Sequence, residues 1–123
     1  MAMRIVIAAK GIECNCNYDS IDLLVLIGDC DVKSFVNTQI DVCVFEKSNF
    51  RKVGILNKVK NLVSCGMNDF DTVTFSSISE DSASLCIRRT INRVYPCEFK
   101  TKFYKDMDLY SNLVVSLILY FLK

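Results

Sequence analysis

The stretch Leu23-Leu24-Val25-Leu26-Ile27-Gly28-Asp29-Cys30-Asp31 decides the fold. Its first five residues are aliphatic with no polar residue among them. Such a run suits a strand covered on both faces, as in parallel or mixed sheets. Gly28-Asp29 stops it. The same unit recurs on either side: Arg4 to Ala9 upstream, then Asp41 to Phe45 and Leu62-Val63-Ser64-Cys65 downstream, the last ending at Gly66. The connections between these strands are polar or short and helical. Asn15 to Asp22 is polar, and Asp31 to Asn37 predicts a short helix with Asp31 as its cap. Asn49 is placed to cap a helix running through Lys58, with Phe50, Val53, Leu56 and Asn57 along one face. Strand and short helix in alternation predict right-handed crossovers and parallel strands.

Beyond Gly66 the pattern changes. Asp71 to Ile78 and Ser82 to Arg89 both alternate, and Ser79-Glu80-Asp81 joins them as a hairpin. Val73 and Phe75, with Ser77, share one face of the first strand, and Ala83, Leu85 and Ile87 share one face of the second. After Tyr95-Pro96, Glu98 to Phe103 reads as a last strand. Asp108 to Lys123 reads as the longest helix, with Asp106 or Asp108 near its start and Lys123 near its end, both favourable to the helix dipole. The expected fold is α/β: a two-layer or three-layer mixed sheet, with parallel N-terminal strands followed by a β-hairpin and a C-terminal helix. With no internal repeat, low-complexity tract or Gly/Pro/Ser linker, residues 1–123 are expected to form a single α/β domain.

Composition narrows the function classes. Fifteen basic side chains against fourteen acidic ones leave a net charge of +1, too little to draw nucleic acid or an anionic membrane by long-range attraction. The seven cysteines, Cys14, Cys16, Cys30, Cys43, Cys65, Cys86 and Cys97, are odd in number, and Ile5 to Ala9 is too short for a signal h-region, so no signal peptide is expected. They point to free thiols in a reducing cytosol rather than to a disulfide framework. Val42-Cys43-Val44 and Leu85-Cys86-Ile87 place two of them in apolar runs, where a thiol packs as a small hydrophobe. Leu113 to Leu122 is apolar apart from Ser116 and Tyr120. At ten residues it falls well short of the roughly 20 a membrane-spanning helix needs, so a buried core helix and no membrane partner are expected.

Chemistry-bearing residues are few. The chain has no histidine, which excludes Ser-His-Asp and Cys-His catalytic pairs and His-containing zinc sites. Cys14-x-Cys16 offers two thiolates with Cys30 as a third, but no second close pair completes a four-ligand site, and no metal or other cofactor is expected. Gly28, Asp29 and Asp31 lie just past the carboxyl end of an apolar strand, where open α/β sheets place ligands, and form the candidate ligand-binding residues. The two aspartates have the oxygen chemistry for a hard cation, but they equally suit a turn and a helix cap. Asp69 and Asp71 beside Gly66 read as a solvated pair on a turn. Arg88, Arg89, Arg93 and Lys100 form a basic cluster, although strand alternation sends Arg88 and Arg89 to opposite faces.

The stretch Asn61-Leu62-Val63-Ser64-Cys65-Gly66-Met67-Asn68-Asp69-Phe70-Asp71 resembles the end of the central domain of Mur ligases. There a strand enters a turn of an aromatic residue, glycine, two or three residues and an aspartate, followed by a β-hairpin that Asp71 to Arg89 would supply. The helix Asp108-Leu109-Tyr110-Ser111-Asn112-Leu113-Val114-Val115-Ser116 is similar to the family's Asn-Asn-Ala-Leu-Ala-Ala helix. Val44-Phe45-Glu46-Lys47-Ser48-Asn49 falls where the family has the strand and polar turn for the nucleotide base. The likeness covers about Asp41 to Lys123. The family's Gly-x-x-Gly-Lys-Thr/Ser loop, which cradles ATP phosphates, has no counterpart. The nearest fragment, Ala8-Ala9-Lys10-Gly11, has one glycine and no hydroxyl residue after its lysine. The family's magnesium-binding glutamate and its histidine have no matching position. The resemblance therefore implies a shortened scaffold without ATP chemistry and with no catalytic residue. A non-catalytic module that binds a partner protein or a second copy of itself is the expected function. The alternative is a small-ligand or nucleotide-binding remnant of the Mur-like scaffold.

Overall fold

The computed structural model describes residues 3–11 and 18–123. It has the expected mixed α/β character, with strands dominating and few helices. The chain divides into two compact units, Met1–Val63 and Ser64–Lys123.

The first unit is built on a four-stranded sheet of order β1-β2-β3-β4: β1 (Ile5–Ala9), β2 (Ser20–Ile27), β3 (Gln39–Phe45) and β4 (Val59–Ser64). β1 pairs with β2 in parallel, Ile5 opposite Leu23 and Ala9 opposite Ile27, and β2 pairs with β3 in parallel, Leu23 opposite Val42. When spatial order follows chain order, right-handed crossovers must all lie on one face. The packing agrees: Val32 and Phe35 from the β2–β3 connection and Val53 and Leu56 from the β3–β4 connection join Leu24, Leu26, Cys43 and Phe45 in one apolar cluster, with Val6 and Ala8 against it.

The crossovers are shorter than the periodicity predicts. The Asp31–Asn37 helix contracts to a 3-10 turn at Lys33–Phe35, and Asp31 acts beside it by accepting a hydrogen bond from the Lys33 amide (3.0 Å). After β3, a 3-10 turn at Lys47–Asn49 leads into one α-turn, α1 (Phe50–Val53). The expected helix through Lys58 ends early because Gly54 follows Val53, and Ile55 and Leu56 close with tighter i→i−3 bonds to Lys52 and Val53. Val59 and Lys60 are then drawn into β4. Phe50 correspondingly leaves the expected face and stands exposed, while Val53 and Leu56 stay buried.

In the second unit, β5 (Val73–Ile78), β6 (Ser82–Ile87) and β7 (Cys97–Lys102) form an antiparallel sheet in that order. Val73 pairs with Ile87 and Phe75 with Leu85, so the expected apolar face is the buried one. The register slips by one residue between Phe75 and Ser77, which takes Ser77 out of that face and leaves it exposed. The long helix α2 (Leu109–Phe121) packs against β5, burying Leu113, Val114 and Leu117. Asp108 is its N-cap, accepting from the Ser111 amide at 2.7 Å, and that bond holds the Asp108 carboxyl below the usual range. Asn112, fully buried on α2, accepts from the Tyr104 amide and donates to the carbonyls of Tyr104, Met107 and Asp108. One amide side chain thereby fixes the entry into the helix. Among the described residues, no helix is long and apolar enough to cross a membrane.

Candidate functional site

The turn Gly28–Asp31 sits where the sequence places it, at the carboxyl end of β2. Gly28 has φ +64°, a left-handed conformation that suits glycine and reverses the chain directly out of the strand. The segment after β3 braces this turn. Asn49 is 1% exposed and donates through Nδ2 to the Gly28 carbonyl at 2.9 Å. It makes no side-chain capping bond, so the expected helix cap is instead a strut between two strand ends. Lys52 forms an ion pair with Asp29 and donates to the Cys30 carbonyl at 2.7 Å. The hydrogen bond and charge of Lys52 hold the Asp29 carboxyl below its ordinary range.

Gly28, Asp29 and Asp31 are therefore together in space, but their polar groups are taken up within the chain. Asp29 answers Lys52, Asp31 answers the Lys33 amide and the Gly28 carbonyl answers Asn49. Cys30 is buried, and desolvation pushes its thiol up, away from the thiolate a metal would require. Burial likewise raises Cys43 to about 12. Cys14 and Cys16, the other proposed thiol ligands, lie outside the described residues. Among the described residues no group of three or more Cys, Asp or Glu side chains could hold a metal ion.

A polar groove of about 560 Å³ lies elsewhere in this unit, lined by Asp19, Lys33, Ser34, Asn37, Gln39 and Lys58. Gln39 begins β3 and Asp19 precedes β2, so the groove is at the amino ends of the strands. Open α/β sheets carry ligands at the opposite ends.

The second acidic turn, Gly66 to Thr72, is organised differently. Asp71 is wholly buried, which corrects its expected place as a solvated carboxylate. Its Oδ2 accepts from the Asn68 amide (2.9 Å) and Asn68 Nδ2 (3.3 Å), while its Oδ1 has no hydrogen-bond partner in the protein. A Cβ at residue 66 would lie 2.5 Å from Oδ2, so any side chain there would displace the Asp71 carboxylate. Arg88 clamps the outside of the turn, its Nη1 donating to the carbonyls of Asn68 and Asp69, each at 2.9 Å. Arg89 donates to the Phe70 carbonyl at 2.7 Å and to Thr72 Oγ1 at 2.9 Å. The two arginines serve the same turn rather than opposite faces. β6 stops at Ile87, so strand alternation no longer governs them.

The apolar character of α2 also finds its limit. Leu113 and Leu117 are fully buried, but Leu119 is 51% and Leu122 57% exposed, with Val115 and Ile118 half-buried. At spacings i, i+3, i+4 and i+7, these four residues form a stripe along one side. Helical periodicity contains this signal, but a helix apolar all round hides which side stays outside. Compared with protein-family models, with curated proteins and with solved structures, the chain matches none.

Proposed function

We propose that this chain is a non-catalytic interaction module that associates with a second copy of itself through α2. The observation that carries the reading is the stripe Val115, Ile118, Leu119 and Leu122, two of whose leucines are more than half exposed. Contiguous exposed apolar side chains at helical spacing mark a surface that gains free energy when covered. A second copy suits this stripe because Leu109–Phe121 contains no charged residue, so two copies of the helix meet without like-charge repulsion. The polar turns add support from the other direction, since Asp29, Asp31, Arg88 and Arg89 each bind groups within the chain.

The alternative, a small-ligand or nucleotide-binding remnant of a Mur ligase-like scaffold, draws support from the order of strand, turn, hairpin and final helix. It has less at the level of side chains. Asn112, in the helix that resembles the family's, spends its amide on the turn before α2. Native mass spectrometry of the untagged protein, purified without chelator, tests both readings. A dimer of bare chains that Leu119→Glu converts to monomer is expected. A retained nucleotide or metal adduct, or a wild type that stays monomeric at high concentration, overturns the self-association reading.

A further inference from the structure

We draw no further inference here: the strongest candidate, the outer edge of β1, uncharged from Ile5 to Ala9 and paired among the described residues only with β2, is an unpartnered apolar edge, and nothing in the structure shows what covers it.

Discussion

The turn Gly28–Asp31 keeps its carboxylates in water, whereas the turn from Gly66 to Thr72 buries one of its own. Each closes a strand, each begins with a glycine, and each is tied down by cations from a distant part of the chain. In the first, the Asp29 side chain is 79% exposed and its partner Lys52 33%. Pairs of that kind contribute little, because water solvates both ions nearly as well when they are apart. In the second, Asp71 is 0% exposed, and it holds two donors from Asn68 while one of its own oxygens goes without a partner. A buried carboxylate carries a large desolvation cost, so each bond it makes matters more. The same residue type is therefore replaceable in one turn and structural in the other. Exposure, not the presence of an ion pair, decides which.

The contrast is broken most directly at Asp71. Asp71→Ala removes the acceptor of both Asn68 donors inside the protein and leaves a cavity beside Gly66. Its expected cost is about 2–4 kcal/mol, a large part of the stability of an ordinary domain. Asp71→Asn keeps an acceptor for Asn68 and discards the buried charge, so it should cost about 1 kcal/mol or less. Urea unfolding at neutral pH measures both. If the two variants are equally damaged, the charge itself, and not the acceptor, holds the turn.

The two turns also differ in how far they could be read from sequence. Apolar runs such as Leu23–Ile27 and Asp41–Phe45 announce buried strands, because continuous burial leaves its mark on every residue, and both strands form. The position of Gly28, Asp29 and Asp31 at a strand end follows from the same runs. What occupies their polar groups does not, because Asn49 and Lys52 are 21 and 23 residues away from the groups they hold. Local spacing makes Asn49 a helix cap, but burial makes it a strut. Asp71 is harder still. An acid after Gly66-Met67-Asn68-Asp69-Phe70 has the composition of an exposed turn, and only the asparagine three residues earlier hints at a side chain folded inward to meet it. Arg88 and Arg89 mislead for another reason, since alternation applies only while a strand lasts.

Asn49 supplies the intermediate case: a neutral, buried side chain that serves the exposed turn. Asn49→Ala leaves the Gly28 carbonyl with the Cys30 amide alone and removes one of the links between the ends of β2 and β3. The expected cost is about 1–2 kcal/mol, less than Asp71→Ala because no ion is involved. Amide exchange should localise the loss, with faster opening at Cys30, whose amide donates to that same Gly28 carbonyl at 3.1 Å, and little change at Val73 in the other unit. Uniform acceleration across both units would mean that Asn49 supports the whole chain rather than one turn.

The smallest effect belongs to Asp29, and pH exposes it. Lys52 holds the folded carboxyl below its ordinary value, so folding binds fewer protons at this site than the unfolded chain does. The resulting stability is fully present above the unfolded pKa of about 3.9 and is lost as pH falls through the lower, folded value. Asp29→Asn should therefore be slightly less stable than wild type at neutral pH, and the difference should vanish in acid once the wild-type carboxyl is protonated. Added salt should shrink the neutral-pH difference as well, because the pair is exposed. Asp108, held down by its helix-cap bond to Ser111, loses its contribution in the same acid range, but salt should affect it less because its partner is a neutral amide. A difference for Asp29→Asn that persists unchanged through acid would show that the side chain acts by shape in that turn and not by charge.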